Sequence, residues 1–173
     1  MRFQALANLL FRLLIRRVIA RRQPDFIVGA ESPDGAYLRR WWLLPRNRYF
    51  NVYLHEFLRD DDDRALHDHP WPWLSFLLAG CYLEHTIRAG GIQRTCLRTA
   101  GSLKASGPWR AHRIALTRRV IGGRVVPAPC WTLFVTGPQL RSWGFHCPAR
   151  GWVPWRQFTA EGKPGEIGPG CDA

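Results

Sequence analysis

Of the 25 basic residues in this 173-residue chain only two are lysine, Lys104 and Lys163; the other 23 are arginine. That bias fits planar, bidentate anion recognition and fits coding bias equally well. The chain has no GxSxG elbow, no GxxxxGK[ST] loop and no GxGxxG, which makes serine hydrolysis and phosphoryl transfer poor candidates. It has no CxxC pair. Five cysteines (Cys81, Cys96, Cys130, Cys147, Cys171) without regular spacing suggest neither a zinc ribbon nor a disulfide framework, and predict a reducing, cytoplasmic setting. There is no uninterrupted hydrophobic run: Arg12, Arg16 and Arg17 break the apolar stretch from 3 to 20, and no small-residue cleavage site follows. A spanning helix and a secretory signal are both poor readings of it. Acid is missing from the first 22 residues, which hold six arginines (Arg2, Arg12, Arg16, Arg17, Arg21, Arg22) and so half of the net charge of +12. The remaining positives are scattered singly and in pairs rather than gathered in a stripe beside aromatics, so no nucleic-acid partner is expected.

What is present fits one globular domain: 46% hydrophobic residues, with 9 Trp, 9 Phe and 4 Tyr to fill a core without metal or disulfide staples. At 100° per residue Phe3, Ala7, Leu10, Phe11, Leu14 and Val18 share one side and Arg2, Arg12 and Arg16 the other, predicting a basic amphipathic helix over residues 2 to 21 that Pro24 ends. Its apolar side suits packing on the domain or a partner better than a weak membrane-surface contact, because Leu9 lies among the arginines. From Tyr37 the period becomes two. Strands are expected at 37 to 44, 48 to 58, 65 to 69, 73 to 78, 81 to 87, 92 to 98, 109 to 116, 130 to 136, 141 to 146 and 152 to 158, with turns such as Ala79-Gly80 and Gly122-Gly123. So many short strands predict an all-β jelly roll or small barrel over residues 25 to 160, after an N-terminal segment 1 to 24 and before a Gly/Pro-rich flexible tail 161 to 173.

The chemistry concentrates in Leu66-His67-Asp68-His69-Pro70-Trp71-Pro72-Trp73. Histidines two apart on a strand face the same way, so His67 and His69 can address one metal ion. A third histidine, His112, closes the stretch that begins at Gly101. Three neutral imidazoles suit Fe(II), Mn, Ni, Cu or Zn, and spacing does not choose among them.

These residues resemble the cupin superfamily, whose motifs are G-x5-H-x-H-x3,4-E-x6-G and G-x5-P-x-G-x2-H-x3-N. His67, His69 and Gly80 match the first, and Gly101 and His112 the second. Trp73 stands where the family's ligand Glu is usual, Gly107 and Trp109 replace the motif Pro and Gly, and Leu116 replaces the Asn. Cupins of the cysteine dioxygenase type are similar in using three histidines alone. The phrasing HDHPW…GxYxEHT also looks like small cupins of bacteria and their phages. The resemblance implies a double-stranded β-helix, pairing of barrels into a homodimer, and a metal held by His67, His69 and His112, with Fe(II) the first choice. It implies first a dioxygenase acting on a small-molecule substrate. The alternatives are a metal-independent sugar-nucleotide epimerase or isomerase, in which a pocket histidine and Tyr82 exchange a proton, and a non-catalytic, phage-associated binding or structural module.

If Ala79-Gly80 is a two-residue hairpin turn, Leu78 pairs with Cys81, Leu77 with Tyr82, Ser75 with Glu84 and Trp73 with Thr86. Trp73, Ser75, Tyr82 and Glu84 then share the cavity face, where Glu84 would bind metal or act as a base and Tyr82 would donate a proton. His55 and His85 are expected on the opposite sides of their strands, His146 in a packed aromatic hairpin, and Asp60 to Asp63 in a solvated turn rather than an ion loop. Most of the tryptophans are expected in core and rim packing, and Arg113 outside the cavity.

Overall fold

A computed structural model describes residues 3–30, 32, 35–61, 65–162 and 168–171. It opens with helix α1 (Gln4–Leu14), which continues through a π-helical stretch, Ile15–Ile19. The strands are β1 (Phe26–Val28), β2 (Leu38–Trp42), β3 (Asn51–Phe57), β4 (Leu66–His67), β5 (Trp73–Ala79), β6 (Cys81–Ile87), β7 (Gln93–Thr99), β8 (Leu103–Ser106), β9 (His112–Leu116), β10 (Arg118–Ile121), β11 (Arg124–Pro127), β12 (Cys130–Thr136), β13 (Gly144–Cys147) and β14 (Gly151–Pro154); a short helix α2 (Trp155–Phe158) follows. Two six-stranded antiparallel sheets form the body, in the orders β1-β2-β3-β12-β5-β8 and β14-β13-β4-β9-β6-β7, and β10 and β11 make a separate hairpin. The expected all-β jelly roll with an N-terminal helix is observed.

The first sheet is buried on both faces, and its sequence alternation says how. In β3 Tyr53, His55 and Phe57 point between the sheets while Leu54 points out; in β12 Thr132 and Phe134 point in while Trp131 and Leu133 point out. Outward Trp41, Leu54, Phe76 and Leu78 form a second core with Ala7, Leu10, Phe11, Leu14 and Val18 of the N-terminal helix. The expected apolar side therefore packs on the domain itself, except for Phe3, which stays half exposed, and Leu6, Leu9 and Leu13 face outward. Among the described residues no helix is long and apolar enough to cross a membrane. Gly101, at φ +89°, lets the helix start close in, because a Cβ there would lie 2.9 Å from the Gln4 nitrogen.

The largest correction concerns Ala79-Gly80, which is no hairpin. β5 pairs with β12 and β8, β6 pairs with β7 and β9, and the chain crosses between sheets at Gly80. Gly80 is at φ +82°, and a Cβ would meet the Pro129 carbonyl at 2.8 Å, so only glycine makes the crossing without strain. The pairings of Leu78 with Cys81, Leu77 with Tyr82, Ser75 with Glu84 and Trp73 with Thr86 do not form. The strand expected at 152 to 158 divides into β14 and α2, and the one at 109 to 116 begins only at His112. Strands β1, β8, β10 and β11 lacked a clear sequence signal.

Cys147 and Cys171 form a disulfide, packed into a core of Ala65, Phe145, Val153 and Phe158. The amides of Gly168 and Gly170 both donate to the Phe158 carbonyl. Residues 168 to 171, read from sequence as part of a flexible tail, are thus pinned to the barrel, and the disulfide removes the cysteine-based argument for a reducing compartment.

Candidate metal centre

His67 ends β4 and His112 begins β9, and the two are directly paired across the sheet. His69 lies just past β4 rather than on a strand, yet its Nε2 is 2.9 Å from His112 Nε2. One ligand atom from each of the three lies within 4.8 Å of the others, and the ring centroids are 4.9 to 5.2 Å apart. Bonds of ~2.1 Å to one ion need nitrogens roughly 3.0 to 3.5 Å apart, so the His69 and His112 pair already stands near bonding geometry.

Each of two imidazoles is backed by a carboxylate. His112 Nδ1 lies 3.0 Å from Glu84 Oε1, to which it donates, leaving the Nε2 lone pair for an ion. His67 Nδ1 faces Asp61 Oδ2 at 3.6 Å. Burial pushes His67 down to about 4 and His69 well below the ordinary imidazole value, so both are neutral near pH 7. Neutral nitrogens with carboxylate backing are the donor chemistry that a divalent transition metal takes, and the three residues fit one.

Glu84 does not project into the cavity as a free base. It is fully buried, bonded to His112, Lys104 and Arg98. Burial pushes its carboxyl up, but the hydrogen bonds from His112 and Lys104 and the charge of Lys104 overcome this and hold it down to about 2. Its role in this geometry is to orient His112. Tyr82 lines the cavity with Trp73 and Ser75 as expected, although the hairpin that suggested it is absent. Burial and the neighbouring Glu84 charge raise its phenol further above neutrality, so it keeps its proton.

Several expectations for the surroundings need correction. Asp60 and Asp61 are no solvated turn: Asp61 is buried and accepts the Ile114 amide at 2.6 Å and the Tyr37 hydroxyl, and Asp60 accepts the Leu116 amide and Arg118. Asp62 and Asp63 lie outside the described residues. His55 faces the cavity, stacked between Tyr53 and Phe134. His146 lies in the aromatic hairpin of β13 and β14 as expected, opposite Trp152, and is held by Asp68, which also accepts from Arg141, Trp152 and the Gly144 amide and so ties the HDH segment to that hairpin. His85 sits on the outer side beside Thr95, as expected. The alternation of Tyr53, His55 and Phe57 was a signal for His55 that sequence reading passed over; Asp61, inside an acidic run, gave none.

The three histidines open onto a cavity of 310 Å³ between the sheets, walled largely by aromatic side chains. This is a double-stranded β-helix with a three-histidine centre. No protein-family model matches the sequence, and no curated protein matches it. Similar solved structures include the EutQ protein of Clostridium difficile (TM-score 0.47, 11% identity, covering 70% of this chain and 84% of that one). A double-stranded β-helix protein of Klebsiella pneumoniae has TM-score 0.43, 16% identity and coverage of 62% and 83%. A cupin superfamily protein of Desulfitobacterium hafniense has TM-score 0.42, 9% identity and coverage of 69% and 84%.

Proposed function

We propose that this protein is a metal-dependent oxygenase that holds a divalent transition metal, Fe(II) first, on His67, His69 and His112 and acts on a small molecule in the adjoining cavity. The observation that carries the reading is the convergence of three imidazoles, two kept neutral by burial, on the wall of that cavity. When bound, Fe(II) supplies the Lewis acidity and the electrons that reaction with O₂ requires. The chain's own residues supply the rest. Glu84 fixes the tautomer of His112, Lys104 and Arg98 hold Glu84 ionised, and Trp73, stacked on His112 at 5.1 Å, keeps water from that ring. Three protein ligands leave positions open for substrate and oxygen. Proton exchange by Tyr82, the alternative of a metal-independent isomerase, is disfavoured because burial and the Glu84 charge make the phenol release its proton less readily than a free tyrosine does.

The test is oxygen uptake by Fe(II)-loaded protein across a panel of small organic acids, alcohols and thiols. Substrate-dependent uptake that vanishes in His69→Ala is the expected result. Metal binding without uptake for any member would move the reading to a non-catalytic binding module.

A further inference from the structure

The cavity wall has a surplus of hydrogen-bond donors. Arg40, on β2, turns its guanidinium inward over the Tyr53 ring at 4.9 Å, while its neighbour Arg39 points out and pairs with Glu56. The arginines Arg22, Arg98, Arg118 and Arg141 each face a carboxylate. Arg40 instead donates from Nε to His55 Nε2 at 2.9 Å, and among the described residues the groups that act on its charge are Tyr53, Tyr37 and Arg46, with no carboxylate.

His55 cannot serve as the counter-ion. Its Nε2 lone pair is used by Arg40, so the proton sits on Nδ1, and that Nδ1 is buried without a partner. Burial and the Arg40 charge hold the ring neutral. Three more cavity residues carry buried donors without partners: Trp71 Nε1, Trp73 Nε1 and Thr132 Oγ1. Asp61, the carboxylate on this wall among the described residues, already accepts the Ile114 amide and the Tyr37 hydroxyl. A buried donor left without an acceptor is costly, and an acceptor-rich ligand recovers that cost. Phe26, Phe57 and Phe134 give this wall an apolar stretch beside those donors.

We propose that the cavity takes a small organic carboxylate with an apolar body, its carboxylate on the Arg40 guanidinium and its body lying toward His67, His69 and His112. This deepens the reading of the cavity as the ligand site, and Arg40 is its specificity residue. The charge of Arg40 also bears on His69, so the guanidinium and the three-histidine cluster lie within electrostatic reach of each other.

The experiment uses metal-free protein, so that it stands apart from metal binding, and follows tryptophan fluorescence during titration with benzoate and phenylacetate and with benzamide and phenylacetamide. A charge-assisted pair at Arg40 makes at least one carboxylate bind about tenfold or more tighter than its amide. Arg40→Gln reduces that preference to less than about threefold, and Arg40→Lys, which keeps the charge, retains part of it. Equal binding of acid and amide, no binding of either pair, or a preference that survives in Arg40→Gln overturns the proposal. Elemental analysis of the same preparations after metal loading reports separately on the three histidines.

Discussion

Acidification of the metal-free protein is the perturbation for which the structure gives a magnitude. His55, His67 and His69 are enclosed between the sheets, and burial lowers all three, His67 to about 4. In the unfolded chain each returns to ~6.5, so as pH falls the unfolded state takes up protons that the folded state refuses. A lowered folded value therefore contributes stability that is fully present above about pH 6.5 and is lost as pH falls toward about 4. Between about pH 7.5 and about pH 5.5 each imidazole removes about 1.3 kcal/mol, and the three together remove about 4 kcal/mol. That is a large part of an ordinary domain's total of roughly 5–15 kcal/mol. Carboxylates of the unfolded chain, near ~4, barely titrate in this window, so the change reports on histidine. Urea unfolding of chelator-treated protein at the two pH values, followed by tryptophan fluorescence, measures it. A loss of about 3 to 5 kcal/mol is expected; a loss below ~1 kcal/mol would mean that the imidazoles protonate inside the fold, and the account of neutral donors would fail.

Glu84→Gln leaves Lys104 and Arg98 without their shared anion and His112 without a charged acceptor, and should cost about 3 kcal/mol in urea unfolding and lower metal affinity by about 10- to 100-fold. A variant with native stability and affinity would contradict the orienting role. Reducing the Cys147–Cys171 disulfide, which closes a span of 24 residues, should cost about 3 kcal/mol, read as a lower urea midpoint in dithiothreitol than without it. An unchanged midpoint would mean that the bond contributes nothing to the fold.

Periodicity made the barrel legible. The two-residue alternation in Asn51–Phe57 and Cys130–Thr136 placed most strands close to where they lie, and the HxH spacing with the matched His112 marked the three histidines that the fold brings together. Pairing between strands was not legible, because a Gly turn between two apolar runs reads the same whether the chain folds back or crosses to the other sheet, and the difference lies in pairing with distant strands, β5 with β12 and β6 with β9. Side chains whose roles depend on distant partners were hidden for the same reason. Asp61 acquires its place from Ile114, 53 residues on, and Lys104 from Glu84, 20 residues back. The inward turn of Arg40 was equally silent, since Arg39 beside it has the same chemistry and the opposite exposure.

The central claim is that His67, His69 and His112 hold one divalent metal together, and elemental analysis tests it most directly. Wild-type protein incubated with Fe(II), Mn, Ni or Zn and then desalted should carry close to one equivalent, His69→Ala should lose most of it while keeping its strand-rich circular dichroism, and the triple alanine variant should carry none. Full metal in the triple variant, or a wild type that stays metal-free with all four ions, would contradict the account.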